Sequence, residues 1–450
     1  MKKIFILIIL FSFLAACDVL DVKPQSAIPA SDAFKNKEGI EKGILGAYTP
    51  FQYLSYYGRT YLIFSDLAAD NLNNPVDGTA TDYREVDNNN IFPGNGGISG
   101  IWASAYESIN IANNVIAKVP GMSDMSEEEK NKALAELYFI RALNHFNVLT
   151  YFGAVPIKTT PTIGTGGINV PRDPVNDVFD QIIEDLEFAE DFLDASSVKV
   201  RASKYAATAL LARVYLYQED YVNAAAKATE VIEDGGYILL DEYADVFTDG
   251  SAESIFEVDF TVQNRNRIAE YNFPKTLNGR REVEPSASII AGYEVDDLRY
   301  EASLAPDSTN FDPETLDGIL FYAIKYNDLS EGTDNVIVLR LAEMYLIRAE
   351  AEAKLTGNVT DIQDDINMIR DRAGLDPTTT TAYADLLLEI EQERRVEFAF
   401  EGHRWFDLVR TDRATVVLPN VTNVNKTLFP IPSSEILTNT NPDMKQNPGY

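Results

Sequence analysis

Apolar residues recur every three to four positions along most of this chain, which is the spacing of amphipathic helices. The clearest example is residues 336–355, VIVLRLAEMYLIRAEAEAKL, a stretch without Gly or Pro. Ala342, Ala349 and Ala353 place small side chains between large apolar ones on one face, which lets a second helix approach closely. We predict that residues 336–355 form one helix and that the other helices are organised around it.

The centre of this stretch is repeated elsewhere in the chain. Residues 342–349 read AEMYLIRA and residues 135–142 read AELYFIRA, so six of the eight positions are identical. A weaker third copy is LLARVYLYQEDY, residues 210–221. A chain that reuses a helix with small residues on one face is predicted to build a stack of helical hairpins.

Other helices follow from the same spacing and from residues that favour helix ends. Ser31 is a suitable N-cap, Ser126 followed by three Glu resembles a helix start, and Gly374 is suited to ending a helix. The predicted helical ranges are 31–48, 101–119, about 126–151, 177–193, a hairpin over 203–233 that turns near Glu219, 361–373, and a last long helix from about Tyr383 that includes residues 393–411.

The helical spacing is lost in two places. Residues 51–100 begin with clustered Phe and Tyr and continue into a loop rich in Asn, Asp and Gly. Residues 236–335 contain short strand-like segments, such as SIFEVDF at 254–260, separated by turn-forming residues. Loops this long in a compact domain are usually functional, so both stretches are predicted to be insertions on the binding side of the scaffold.

The N-terminus has the pattern of a bacterial lipoprotein leader. Lys2 and Lys3 precede an apolar stretch too short to span a bilayer, and Leu-Ala-Ala-Cys follows at 14–17. This sequence resembles a lipobox, and the resemblance implies cleavage after residue 16 and a lipid on Cys17, the single cysteine. The alternative is an ordinary secreted protein. Residues 18–30 are polar, as expected of a tether.

Charge and chemistry narrow the possible functions. The net charge is −32, or −34 once residues 1–16 and their two lysines are removed. This excess of acid argues against nucleic acid and disfavours polyanionic ligands unless local basic residues override it. The two histidines, His145 and His403, are too few for a typical zinc site, and no nucleotide-binding or hydrolase motif is present. We therefore predict no catalytic residue, no metal and no cofactor.

Several conspicuous residues are better explained by packing than by chemistry. Trp102 opens a regular helix, and the 393–410 block carries charged and aromatic residues at helical spacing. We interpret both as structural, with Glu397 and Glu401 paired to arginines such as Arg394, Arg395 and Arg404. The octapeptide pairs receive the same interpretation: Glu136 with Arg141, and Glu343 with Arg348.

Three C-terminal blocks carry a family resemblance. They are ERRVEFAFEGHRWFDLVR at 393–410, LFPIPSSEI at 428–436 and QNPGY at 446–450. Together with the leader and the repeated helices, they resemble the SusD/RagB family of outer-membrane nutrient-binding lipoproteins. The resemblance implies a mainly α fold: a tetratricopeptide-like (TPR) superhelix of helical hairpins with loop-rich insertions and a few short strands.

The same resemblance implies the function. Family members are lipid-anchored on the cell surface of the outer membrane, cover a SusC-like TonB-dependent transporter, and deliver captured glycans to it without catalysis. One alternative is a peptide-binding, RagB-like member, and another is a TPR scaffold of an envelope complex that binds no nutrient. The domain organisation that follows is a leader at 1–16, a lipidated tether at 17–30 and one domain at 31–450, with helices over about 31–235 and 336–411.

Aromatic rings pack against the C–H faces of sugars, and neighbouring polar groups satisfy the hydroxyls. The net charge of −34 would repel acidic polymers, so a neutral oligosaccharide or polysaccharide is expected. The predicted ligand-binding residues in the two insertions are Asp70, Tyr83, Arg84, Phe92, Tyr271 and Phe273. Tyr56, Tyr57 and Tyr293 are further candidates for ligand contacts.

Overall fold

A computed structural model of the chain describes residues 34–450 apart from 165, 196, 197 and 308–319. The leader, Cys17, the tether and Ser31 lie outside the described residues. The first described helix begins at Lys37, later than predicted, because Asn36 caps it: the Asn36 side chain accepts a hydrogen bond from the Gly39 amide at 2.9 Å.

The described part of the chain is mainly helical. No helix in it is both long enough and apolar enough to cross a membrane. In chain order, the helices are α1 (Lys37–Tyr48), α2 (Thr60–Ala68), α3 (Thr81–Asp87), α4 (Gly96–Ile116), α5 (Glu127–Phe152), α6 (Val175–Phe192), α7 (Lys204–Tyr217), α8 (Tyr221–Asp234), α9 (Ile268–Asn272), α10 (Ala287–Ile290), α11 (Arg299–Ser303), α12 (Leu341–Lys354), α13 (Val359–Arg372), α14 (Tyr383–Glu397), α15 (Arg404–Arg410), α16 (Ala414–Val417) and α17 (Ser433–Thr438).

The predicted helix ends are largely confirmed by their caps. At the start of α5, the Ser126 hydroxyl accepts from the Glu129 amide at 3.2 Å and the Glu129 carboxylate accepts from the Ser126 amide at 2.8 Å. The turn between α7 and α8 contains Glu219 with a φ of 62°, and Asp220 caps α8. These local signals define the helix that the sequence predicts at about 126–151 and the hairpin that it predicts at 203–233.

The long helices form one continuous stack. Each of α4, α5, α6 and α7 packs against the next helix in the chain. Helix α8 then packs against α12, although about a hundred residues separate them, and α12 packs against α13 and α14. The stretch between α8 and α12 therefore interrupts the stack.

Within the described residues, short strands form three antiparallel pairs: β1 with β3, β2 with β6, and β4 with β5. Every residue of β2 and β6 is buried, so this pair belongs to the core. The strands are β1 (Leu72–Asn73), β2 (Ser254–Val258), β3 (Glu284–Pro285), β4 (Leu304–Pro306), β5 (Phe321–Ala323) and β6 (Val336–Arg340).

Two predicted helices are wrong in part. Residues 336–340 form strand β6, because Val336, Ile337 and Val338 favour a strand and pair with β2; α12 begins only at Leu341. The last long helix is broken between α14 and α15, where Phe400 and Gly402 take φ values of 67° and 84° that no helix accommodates. This break turns the chain so that α15 packs against α2.

Candidate functional site

The clustered tyrosines of the first insertion belong to the core. Asn147 on α5 donates to the hydroxyls of Tyr56 at 2.6 Å and Tyr57 at 2.9 Å, and its carbonyl accepts from the Tyr61 hydroxyl at 2.9 Å. All four side chains are buried. Tyr56 and Tyr57, named above as further ligand candidates, therefore hold the insertion on the scaffold and offer no surface to a ligand.

The two insertions meet beyond this cluster. Strands β1 and β3, one from each insertion, pair with each other. The buried Glu282 carboxylate accepts from the amides of Thr79 at 2.6 Å and Ala80 at 2.9 Å, and from the Thr79 hydroxyl at 2.5 Å. Burial opposes ionisation of Glu282, but these hydrogen bonds and Arg280 hold its pKa below the usual value. We call the joint surface of residues 73–92, residues 265–285 and strand β5 the paired-loop face.

Tyr271 lies at the centre of the paired-loop face without presenting its ring to solvent. The Arg59 guanidinium lies 4.3 Å and the Arg280 guanidinium 4.9 Å from its ring centroid. The Tyr83 ring packs against it at 5.5 Å, and Tyr271 and Tyr83 are only 7% and 4% exposed. Both tyrosines were predicted to contact ligand, but their rings support the surface and are not free to stack on a sugar.

Strand β5 presents an aromatic ring to each side. Tyr322 packs against Phe273 with centroids 4.7 Å apart, and both rings are partly exposed on the paired-loop face. On the opposite side, Phe321 lies 6.0 Å from Tyr300, which in turn lies 5.5 Å from Tyr293. Tyr293 and Tyr300 line a cavity of about 490 Å³. The same cavity is lined by the acidic residues Glu294, Asp296, Asp297 and Glu301.

The remaining predicted ligand residues are dispersed. Asp70 is ion-paired with Arg404 at 2.8 Å and Arg395 at 3.0 Å, so its carboxylate ties the first insertion to the C-terminal block. Arg84 is exposed and donates to the Gly78 carbonyl at 2.7 Å. Phe92 is 56% exposed but has no ring contact with the aromatic residues of the described paired-loop face. Of the six predicted residues, Arg84, Phe92 and Phe273 keep exposed surface on the paired-loop face.

Sequence reasoning missed Arg59, Arg280 and Tyr322. The sequence does carry a signal for one of them, because the Arg280–Arg281 doublet is unusual in so acidic a chain. Nothing in the sequence indicates that Arg59 and Arg280 cover the same ring, since 221 positions separate them. Tyr322 follows Phe321, and only the pairing of β4 with β5 shows which ring faces which side.

A second crevice, of about 260 Å³, lies between α4 and the linker that follows α5. Its polar side chains are already committed to that linker. Tyr106 donates to the Pro156 carbonyl at 2.8 Å, Asn113 donates to the Lys158 carbonyl at 2.9 Å, and Asn110 accepts from the Thr162 amide at 2.9 Å. Trp102 in the same crevice is 4% exposed, which confirms its interpretation as a packing residue.

The 393–410 block forms a buried ion cluster and not a ligand site, as predicted, although its partners differ from those expected. Glu397 and Glu401 pair chiefly with cations outside the block, and Arg394 pairs with Asp407 at 2.9 Å. We call the group the C-terminal ion cluster; its members are Arg299, Lys325, Arg340, Arg370 and Arg372 with Glu253, Asp297, Glu393, Glu397 and Glu401.

The described residues contain no group of three or more His, Cys, Asp and Glu side chains arranged to hold a metal ion. The paired-loop face offers aromatic stacking on Phe273 and Tyr322, and N–H donors and positive charge from the Arg59 and Arg280 guanidinium groups over Tyr271.

Two family models match the chain. One is described as "SusD family" and covers residues 317–426; the other is described as "Starch-binding associating with outer membrane" and covers residues 18–216. The chain is also 27% identical to SusD-like protein P2 of Formosa agariphila over 98% of both chains. The chain belongs to the SusD/RagB family. Starch-binding protein SusD of Bacteroides thetaiotaomicron is 37% identical over a shorter region, 26% of this chain and 22% of that protein.

Solved SusD-like structures share the fold. A SusD superfamily protein from Bacteroides vulgatus has a TM-score of 0.85 at 21% identity, covering 93% of this chain and 100% of that one. A laminarin-binding SusD-like protein has a TM-score of 0.82 at 27% identity with the same coverage. The predicted TPR-like helical fold is thereby confirmed. SusD-like proteins are binding proteins and not enzymes, which agrees with the prediction that this chain has no catalytic residue.

Proposed function

We propose that this SusD-like protein captures an oligosaccharide or polysaccharide on its paired-loop face and delivers it to a SusC-like TonB-dependent transporter. The observation that carries the proposal is the partly exposed pair of Phe273 and Tyr322, 4.7 Å apart, beside exposed guanidinium groups. Sugar rings pack on such aromatic faces, and their hydroxyls accept hydrogen bonds from arginine N–H groups. The laminarin-binding protein that shares this fold at 27% identity lends support.

The anchoring and the partner are parts of the same proposal. Cys17 would carry the lipid that holds the protein on the outer membrane, and the polar residues that follow it would act as a tether. A Cys17→Ala variant should be recovered from the soluble fraction, whereas the unaltered protein should fractionate with membranes. The transporter should co-purify with the unaltered protein from mild detergent.

The proposal is tested by affinity electrophoresis of the purified protein against a panel of neutral and charged glycans. Phe273→Ala and Tyr322→Ala should each weaken binding at least fivefold, because each removes one ring of the partly exposed aromatic pair. Phe192→Ala is the matched control, since that ring is 39% exposed on α6 in the scaffold. Unchanged binding in both face variants would refute the assignment of the site.

The same panel separates the alternatives. Binding to a peptide pool and to no glycan would identify a peptide-binding member. Failure to bind either, with unimpaired nutrient uptake by cells that carry both face variants, would identify a scaffold without a nutrient site. The chain-wide charge of −32 favours a neutral ligand, but the charges around Tyr271 differ from those of the chain as a whole.

A further inference from the structure

The second insertion is locally basic in an acidic protein. Residues 262–285 contain five Lys or Arg and three Glu, whereas the whole chain contains 38 basic and 70 acidic residues. The basic residues of this segment are Arg265, Arg267, Lys275, Arg280 and Arg281. A reversal of charge at one surface calls for a specific explanation, since solubility alone would be served by the acidic residues found elsewhere.

Two guanidinium groups, one from each insertion, converge on Tyr271. Those of Arg59 and Arg280 lie over its ring, at 4.3 and 4.9 Å from the centroid. The backbone of a third arginine lies next to Arg59, because the Arg267 amide donates to the Gly58 carbonyl at 2.8 Å. Stacking fixes the plane of a guanidinium group and leaves N–H donors at its edge. The tyrosine thus preorganises arginines that come from both insertions.

The positive charge of this group is only partly compensated. Arg267 has Glu270 at 3.5 Å and Arg280 has Glu282 at 3.1 Å. Glu282 also accepts three hydrogen bonds from Thr79 and Ala80, so its charge is shared. No carboxylate of a described residue lies within 4 Å of the Arg59 guanidinium, and the buried Arg59 Nε has no hydrogen-bond acceptor there.

The group is also open to a ligand. The side chains of Arg267 and Arg280 are 40% and 44% exposed. Arg84, which is exposed on the same face, has no carboxylate within 4 Å among the described residues. Phe273, two residues from Tyr271, brings the aromatic pair of the proposed glycan site alongside. An anion bound by the arginines would therefore belong to a ligand that also reaches the rings.

We propose that the paired-loop face binds a glycan bearing isolated anionic groups, the carboxylate of a uronic acid or a sulfate ester, with Arg59 and Arg280, which lie over Tyr271, as the anion subsite. This inference rests on the proposed glycan-binding function and names its ligand class. Carboxylate and sulfate oxygens share the chemistry that a guanidinium edge recognises: planar or tetrahedral acceptors that take two parallel N–H bonds.

The chain-wide charge and the local charge are compatible under this proposal. At physiological ionic strength the Debye length is about 8 Å, so distant carboxylates are screened and the nearest arginines dominate at the subsite. A polymer with a charge on every sugar would still meet carboxylates on the other side of β5, where Glu294, Asp296 and Glu301 lie. This distribution of charge on the two sides of β5 favours a sparsely charged glycan over a densely charged glycan and over a wholly neutral one.

The experiment uses the purified protein and a panel of laminarin, agarose, neutral xylan, glucuronoxylan, porphyran, pectin and alginate in affinity electrophoresis. Glucuronoxylan and porphyran carry uronate and sulfate groups on otherwise neutral backbones. Each charged glycan that binds is then compared, by calorimetry, with its own carboxyl-reduced or desulfated form. We expect removal of the anionic group to weaken binding about tenfold, because one charge-assisted contact is lost. Carboxyl reduction and desulfation are separate treatments, so they distinguish a carboxylate ligand from a sulfate ligand.

Variants assign the effect to the subsite. Arg59→Gln and Arg280→Gln should lose most of the roughly tenfold preference for the charged form over its neutralised form, whatever each loses in affinity for the neutral glycan. A far-UV circular dichroism spectrum equal to that of the unaltered protein shows that each variant is folded. Lys118→Gln is the control, because Lys118 is exposed just beyond the far end of α4, about 30 Å along the helix from Gly96.

The outcomes separate the two proposals. Binding of neutral glycans alone, or equal binding of charged and neutralised forms, would overturn the anion subsite and leave the glycan-binding function intact. Unchanged preference for the charged form in both arginine variants would likewise overturn it. Failure of every glycan to bind would overturn the proposed function, and the anion subsite with it.

Discussion

Arg340 is the residue on which we expect the fold to depend most. It ends strand β6 and is 2% exposed within the C-terminal ion cluster. All five of its N–H donors are used: Nε and one terminal nitrogen donate to Glu401 at 2.8 and 2.9 Å, and the others reach Glu253 at 3.0 Å and the Glu397 carboxylate and carbonyl at 2.5 and 2.8 Å. Burial opposes ionisation of Glu397, but the guanidinium groups of Arg372, Arg340 and Arg299 hold its pKa well below the usual value.

The expected loss of stability on replacing Arg340 follows from the balance of charges in the C-terminal ion cluster. Five cations and five carboxylates make up the cluster, so Arg340→Met leaves five buried carboxylates with four cations. Removing one member of a buried ion pair costs about 3–5 kcal/mol, because its partner stays buried without compensation. Arg340→Lys keeps the charge but offers three donors in place of five, so its cost should be intermediate.

The assay is urea unfolding followed by far-UV circular dichroism and tyrosine fluorescence, whose transitions must coincide for a free energy to be derived. Glu401→Gln in the Arg340→Met background restores four charges of each sign, so this second change should cost less there than in the unaltered protein. Lys42→Met is the control, because its partner Glu38 is at the surface with both side chains 73% exposed, and it should leave the midpoint unchanged. If Arg340→Met lowers the free energy of unfolding by less than about 1 kcal/mol, this account of the C-terminal ion cluster is refuted.

Three further changes test other parts of the structure. Asn147→Ala should lower the free energy of unfolding by more than about 2 kcal/mol, because three buried tyrosine hydroxyls each lose a hydrogen-bond partner; an unchanged urea midpoint would contradict this. Gly402→Ala should destabilise by about 1–3 kcal/mol, since φ is 84° and a Cβ would lie 3.1 Å from the Leu62 Cα; a thermal melt identical to that of the unaltered protein would be the opposite result. Burial lowers the pKa of His145 to about 3, so its neutral form stabilises the fold above pH 6.5 and this contribution is lost as the pH falls toward 3. The stability advantage of the unaltered protein over His145→Gln should therefore shrink between pH 7.5 and 4.5, and a constant difference across that range would contradict the shift.

The helices were readable from the sequence because their signals are local. The 3.6-residue spacing, the Ser126 capping box and the turn at Glu219 each act within a few residues, and each is present in the structure. The prediction of a helix over residues 336–340 is wrong because the structure of this segment depends on a distant part of the chain. Their strand character depends on pairing with β2, about 80 residues earlier in the chain, and an apolar run of five residues fits either a buried strand or a buried helix.

The candidate site was readable only as a region. Composition indicated that the two insertions carry aromatic and polar residues, and the pairing of β1 with β3 brings them together. Whether a given ring faces solvent is decided by packing that the sequence does not show. Tyr271 is covered because arginines from two insertions lie over it, while Tyr322, which sequence reasoning passed over, keeps an exposed face.

The repeated octapeptide shows how the helical scaffold tolerates long insertions. In the first copy Arg141 pairs with Asp185, through Nε at 2.8 Å and a terminal nitrogen at 2.6 Å. In the second copy Arg348 pairs with Asp365 through the same atoms at the same distances. The two partners lie 44 and 17 residues downstream, so an identical bidentate contact closes loops of very different length.

The position of one helix on the next is therefore fixed by the contact between their faces and not by the connection that joins them. Loop-closure free energy rises only slowly with length, by about 0.6 kcal/mol for each doubling. A stack built in this way accepts the linker between α5 and α6 and the long insertion between α8 and α12 at little cost. Under the proposal above, a few arginines and aromatic rings in the insertions would set the ligand class, while the buried ion pairs hold the scaffold that presents them.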